Sequence, residues 1–194
     1  MDGREHVLTL GFGEGTAGSL PEPDRFRVFE GQTASVWLLA TLTPVGKSES
    51  WVLNRPAADW TTTDLNGKKH SLAGHRGKVI VLDFWYRGCG WCIKAMPQIM
   101  EVTEHFRDQP VVVLGMNTDR KEADARFVAT SLKLNYATLK AAGLPEKYGV
   151  QAFPTLIIID TDGIVRDRHV GYSPNLREEL IETISGLLPQ APPP

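Results

Sequence analysis

The chain has only two cysteines among its 194 residues, and that scarcity excludes a good deal. Two thiols cannot build the multi-bridge framework of a small disulfide-stapled scaffold. With five scattered histidines and no second Cys or His pair at ligand spacing, they cannot complete the roughly four-ligand set of a structural zinc site. No apolar stretch approaches the roughly 20 residues that span a bilayer as a helix. Charge of neither sign dominates: 21 Lys and Arg face 23 Asp and Glu, a net of −2, so nucleic acid is not an expected partner. Repeats are missing, and the only biased tract is a proline-rich tail over 189–194, expected to be a disordered end or linker stub. The opening residues show no basic-then-apolar stretch and no small-residue cleavage site, so a signal peptide or anchor is not expected within this chain. A membership of 42% hydrophobic and 23% charged residues suits one globular domain that buries a full core, with a modest extra segment.

What the chain does have is the position of those two cysteines. The segment Val81-Leu-Asp-Phe-Trp-Tyr-Arg-Gly-Cys89-Gly-Trp-Cys92 puts them at Cys-x-x-Cys spacing, after an apolar run and before a helical pattern. A strand that turns into a helix sets Cys89 at the helix N-terminus, where unpaired N–H groups and the helix dipole favour a thiolate. Cys92 follows one turn later on the same helix, within reach of a disulfide that Cys89 has formed with another molecule. Cys89 therefore reads as nucleophile and Cys92 as resolving thiol. A purely structural bridge would stabilise little, because the loop it closes is so short. Inert buried thiols would sit inside the apolar run, whereas these sit in the turn Gly88-Cys89-Gly90.

A second signal is Lys147-Tyr-Gly-Val-Gln-Ala-Phe153-Pro154-Thr155-Leu-Ile-Ile-Ile-Asp160, an apolar strand opened by proline. Proline cannot donate to a sheet ladder, so Pro154 is expected at the first strand position. Cys-x-x-Cys after a strand, followed by this motif, resembles the thioredoxin superfamily, in which the proline is cis and packs against the active-site sulfurs. Upstream, Arg55-Pro56-Ala-Ala-Asp-Trp60 through Asn66-Gly67-Lys-Lys-His-Ser-Leu72, then Arg76-Gly77-Lys78-Val-Ile-Val, resembles the leading hairpin of the TlpA/ResA/DsbE-like thiol-disulfide oxidoreductases. Room for an extra helix over 121–133 and a short strand over 136–139 is similar to the insertion that separates this branch from plain thioredoxin. The resemblance covers about 54–188.

The resemblance implies a fold class and a function. The fold is α/β and thioredoxin-like, a central mixed sheet flanked by helices, with the leading hairpin and central helix insertion, preceded by a β-rich segment. The function is thiol-disulfide exchange through the Cys89–Cys92 pair with no further cofactor and no metal. Protein dithiols and disulfides are the implied substrates, a membrane thiol protein the implied electron donor, and an extracytoplasmic monomer the expected setting, which makes the chain read as a fragment of a longer exported protein. Most proteins of this branch are reductants; oxidase or isomerase action uses the same parts and stays open.

Asp83 lies six residues before Cys89 and interrupts the apolar strand, where desolvation should raise its pKa. A strand-end Asp that merely bonds a neighbouring backbone is the plainer reading. The triplet Asp83-Phe84-Trp85 matches the Asp-Phe-Trp of thioredoxin, whose Asp relays protons to the second cysteine, and this carries the proton-transfer role to Asp83. The lysine companion of that Asp is missing, because the equivalent strand reads Leu114-Gly115-Met116. Trp85 reads as packing beneath the turn. Trp91 and Phe153, with Pro154, are the candidate substrate-binding residues; ordinary burial is the competing reading for both aromatics. Arg87 either favours the thiolate or is a solvated arginine.

Continuous apolar runs at 79–84, 111–114 and 156–159 predict strands covered on both faces. A helix is predicted over 90–106, bent at Pro97, and a last helix capped by Ser173, opened by Pro174 and facing inward with Leu176, Leu180, Ile184 and Leu187. Asp160-Thr-Asp-Gly163 predicts an antiparallel edge hairpin. Over 1–53, strands are expected at 25–29 and 35–43 around a turn at 30–32, as an added hairpin or the remnant of a preceding domain. Gly13-Glu-Gly15-Thr-Ala-Gly18 matches a dinucleotide fingerprint only formally, since Ser-Leu-Pro-Glu-Pro cannot open the required helix. A peroxidase of peroxiredoxin type would need a Thr and a Pro where Tyr86 and Leu82 stand, and the Cys-x-x-x-Cys of similar copper carriers is longer by one residue.

Overall fold

The computed structural model describes residues 6–14, 36–44 and 52–189, and the chain divides into two units, Met1–Ser48 and Glu49–Pro194. In the first unit β1 (His6–Glu14) pairs antiparallel with β2 (Val36–Pro44), from His6 opposite Pro44 to Glu14 opposite Val36. The strand expected at 35–43 corresponds to β2, which pairs with β1. Residues 25–32, 15–18 and 190–194, on which further expectations fell, lie outside the described residues.

The second unit opens with β3 (Thr61–Thr63) and β4 (Lys69–Ser71), the leading hairpin, followed by a short 3₁₀ turn at Ala73–His75. Next come β5 (Val79–Trp85), α1 (Gly90–His105), β6 (Val111–Asn117), α2 (Glu122–Leu132), β7 (Ala137–Lys140) and the one-turn α3 (Leu144–Lys147). Finally β8 (Thr155–Ile159), β9 (Val165–Val170) and α4 (Leu176–Leu187) complete the unit. The five long strands form one mixed sheet in the order β7-β6-β5-β8-β9, parallel across β7, β6 and β5 and antiparallel from β5 outward to β9. β-branched Val and Ile fill the central strands because every residue of β5 and β8 is buried on a face covered by other elements.

Alternation along β5 separates two cores. Ile80, Leu82 and Phe84 face a cluster with Trp60, Leu72 and Tyr148, while Val79 and Val81 face Ile99 and Val102 of α1 and Leu180 and Ile184 of α4. The same parity turns Asp83 toward the α1 and α4 side. α1 runs through Pro97 without interruption. α2 ends at Lys133 in the left-handed conformation (φ 53°), which reverses the chain toward Tyr136 and β7.

One capping expectation is corrected. α4 begins at Leu176 with Asn175 as its flanking residue, so Ser173 and Pro174 precede the helix. Ser173 Oγ instead accepts the Asn175 N–H at 3.1 Å and donates to Glu179 Oε1 at 2.7 Å. The cap comes from another helix: Gln98 of α1 accepts the Arg177 N–H at 3.0 Å and donates to the Ser173 carbonyl at 3.1 Å. A long side chain on α1 thus satisfies a backbone donor of α4, a service that local sequence cannot announce.

Candidate active site

β5 delivers the chain into the turn 86–88, closed by the Cys89 N–H donating to the Tyr86 carbonyl at 3.1 Å, and α1 starts at Gly90. Cys89 is the flanking residue of that helix, with extended backbone (φ −84°, ψ 92°). Its Sγ accepts the Cys92 N–H at 3.1 Å. A sulfur held by an N-terminal N–H, at the positive end of a 16-residue helix, is in the environment that lowers a thiol's pKa. The two cysteines are joined in a disulfide with Cα atoms 5.2 Å apart. Cys89 is 5% exposed and Cys92 1%, so Cys89 is the more accessible of the two.

Aromatic pairs flank this disulfide on neighbouring segments. Trp91 is 59% exposed and stacks on Tyr172 with ring centroids 5.5 Å apart, while Lys94 Nζ lies 5.1 Å from the Trp91 ring and 4.6 Å from the Tyr172 ring. Phe153 is partly buried and meets Tyr86 edge to face at 5.3 Å. The Phe153–Pro154 bond is cis, and Pro154 is buried just before β8 with its carbonyl accepting the Gly171 N–H at 2.8 Å. Trp85 is buried in one cluster with Cys89, Cys92 and Met96, beneath the turn as expected. Tyr172, Lys94 and Tyr86 were not singled out by sequence reasoning, because their approach depends on β9, α1 and the turn meeting in space.

Arg87 is exposed, in keeping with the solvated reading, and is paired on the surface. Its guanidinium donates to Asp124 Oδ1 at 2.6 Å and lies 4.4 Å over the Phe127 ring, and its backbone N–H donates to Asp119 Oδ2 at 2.8 Å. Its guanidinium is thus engaged by α2 in a surface ion pair.

Asp83 is 1% exposed on the central strand, between Gly115 of β6 and Leu156 of β8. Burial pushes its carboxyl up to about 7, against the opposing effect of a hydrogen bond that the Tyr136 hydroxyl donates to Oδ2 at 3.1 Å. Burial, and then the nearby Asp83 carboxylate, hold the Tyr136 phenol well above its usual range, so it remains a donor. Tyr136 is a neighbour of Asp83 that the sequence hid: the two residues are 53 positions apart. Among the described residues no group of three or more His, Cys, Asp or Glu is arranged to hold a metal ion, and no helix is long and apolar enough to cross a membrane.

A disulfide at a helix N-terminus, reached from the central strand of a five-stranded mixed sheet, and a cis-proline just before β8 are the marks of a thiol-disulfide oxidoreductase of thioredoxin-like fold. The sequence matches the redoxin family over residues 53–184, and the chain belongs to that family as a TlpA/ResA/DsbE-like member of the thioredoxin superfamily. It is 31% identical over 145 residues to the thiol-disulfide oxidoreductase ResA of Bacillus thuringiensis subsp. konkukian, covering 74% of this chain and 83% of that protein. Among solved structures it is similar to a thiol:disulfide interchange protein DsbE from Chlorobium tepidum (TM-score 0.66, 28% identity, 71% of this chain and 98% of that one). It is also similar to the exposed lipoprotein thioredoxin Etrx1 of Streptococcus pneumoniae (TM-score 0.57, 27% identity, 67% of this chain and 100% of that one).

Proposed function

We propose that this protein reduces disulfides of other proteins, with Cys89 as nucleophile, Cys92 as resolving thiol and Asp83 as the proton acceptor for Cys92. The observation that carries the reading is Cys89 Sγ at the head of α1, accepting the Cys92 N–H, with Cys92 more deeply buried behind it. In the dithiol form the Cys89 thiolate attacks a substrate disulfide, one substrate sulfur leaves as thiolate, and a mixed disulfide forms. Asp83 then takes the Cys92 proton. The new thiolate attacks Cys89 Sγ, the intermolecular bond breaks, and the second substrate sulfur leaves and is protonated. Two thiols are oxidised and one disulfide reduced in each turnover. A carboxyl near 7 is matched to this transfer, since it accepts and returns a proton with little driving-force penalty at neutral pH.

Trp91, Phe153 and Pro154 form the substrate-binding rim, Phe153 by pairing its backbone with an extended segment of the partner and Trp91 by apolar cover. Similarity to TlpA/ResA-type proteins supports the reductive direction, a membrane thiol donor and an extracytoplasmic site of action; the exposed pneumococcal lipoprotein supports the last of these. Residues 54–188 constitute the redox domain, and 1–53 are an N-terminal extension or the remnant of a preceding domain.

The reduction potential of the Cys89–Cys92 couple, measured against glutathione and dithiothreitol buffers, tests the direction. A value near about −270 mV supports the reductant, and one near about −120 mV overturns that direction in favour of a dithiol oxidant.

A further inference from the structure

Gly115 stands opposite Asp83 on β6, and a Cβ there would lie 2.9 Å from Trp85 Nε1 and 3.1 Å from Cε2 of the Tyr136 ring. No larger residue fits without displacing one of the two rings. The gap matters because Tyr136, arriving from the connection between α2 and β7, must pass this point to reach the carboxylate. We propose that Tyr136 is the positioning residue of the Asp83 carboxylate, and that Gly115 is the opening in β6 that admits it. The proposal rests on the reading of Asp83 as the proton acceptor for Cys92.

The phenol donates to Oδ2 and so holds one oxygen of the Asp83 carboxylate in place. A hydrogen bond to one oxygen restricts rotation of the carboxylate while lone pairs on both oxygens stay open to a proton, which narrows the orientations from which transfer occurs. The hydrogen bond also favours the ionised form, so it keeps Asp83 able to accept a proton at neutral pH in spite of its burial. Few other groups compete for this role. β6 presents Gly115 and β8 presents Leu156 at this level, and the buried side chains of α1 and α4 are apolar except for Cys92. Thr138, at the far side of the same gap, is buried with a hydroxyl that has no partner, 3.5 Å from the point a Gly115 Cβ would occupy.

The test compares the wild type with Tyr136→Phe, which keeps the ring and removes only the donor. Asp83 is followed in the reduced protein by the carboxyl signal of carbon-13-labelled aspartate across a pH series. Resolution of a preformed Cys89 mixed disulfide is followed over the same range. Tyr136→Phe is expected to move the Asp83 titration upward by about one to two pH units, with the rate profile moving in step. Replacement of Tyr136 by 3-fluorotyrosine, a stronger donor, is expected to move it downward, an opposite response that loss of packing does not produce. An Asp83 titration unchanged in both variants overturns the proposal. A titration that moves while the rate profile stays fixed upholds the contact between Tyr136 and Asp83 and removes Asp83 from the resolving step instead.

Discussion

Asp83→Asn is expected to make the protein more stable at alkaline pH while it slows resolution. The ordinary carboxyl value is 3.8 and burial raises it to about 7 in the fold. Between those values the native state holds a proton that the unfolded chain has released, so stability falls as pH rises through this window and levels off above about 7. A displacement of about three pH units, at roughly 1.4 kcal/mol for each, places the cost of the buried carboxylate at pH 9 near 4 kcal/mol. Asparagine is almost isosteric, carries no charge, and keeps an oxygen for the Tyr136 hydroxyl. The variant's advantage over wild type should therefore be absent near pH 4 and grow to about 4 kcal/mol by pH 9, about 8–16 °C in Tm for a domain of this size. Urea unfolding of the oxidised proteins at both pH values reads this directly, because groups common to the two proteins cancel in the difference. A difference that does not change with pH would show that Asp83 is not held as a buried carboxyl titrating near neutrality. In parallel, resolution at pH 7 should slow by about 10²–10⁴ if the proton acceptor is lost. The two results together describe a carboxyl retained for chemistry at the expense of stability.

Other expectations concern the sulfurs and the residues around them. Cys89→Ser should abolish disulfide reduction, whereas Cys92→Ser should accumulate a stable mixed disulfide, visible by mass spectrometry; stable trapping by Cys92 alone would reverse the two roles. Gly115→Ala should lower unfolding free energy by about 1–3 kcal/mol, since the added methyl would stand 2.9 Å from Trp85 Nε1 and 3.1 Å from the Tyr136 ring, and an undiminished stability in urea would contradict that close approach. Arg87→Ala should leave the Cys89 thiol titration where it is in the wild type, because the guanidinium is already paired with Asp124; a rise of about one pH unit, followed by thiolate absorbance, would restore a role in thiolate stabilisation.

Much of the site was legible because its elements are local. Cys89 and Cys92 lie within one turn at the head of α1 and Asp83 lies on β5, which leads into it, so spacing and hydropathy singled out all three as candidates, and the resemblance to thioredoxin supplied the role expected of Asp83. The long strands were equally visible, as Val and Ile runs buried on both faces leave no other reading. Non-local detail was not visible. Gln98 caps α4 across an interhelical contact, Arg87 pairs with Asp124 of α2, and β2 takes β1 as its partner, each decided by surfaces that meet only after folding.

The missing lysine opposite Asp83 shows the division most clearly. The sequence by itself determined that β6 carries Gly115 there, and hence that any charge partner of thioredoxin type was lost. It could not say what took up the space. Only the tertiary structure decided that Tyr136, 53 residues from Asp83, bends back after α2 and enters the gap. The physical reason is that hydropathy and spacing encode which residues are buried and which share a local face, whereas the pairing of two buried polar groups depends on the sheet order and on how far a side chain can reach across it.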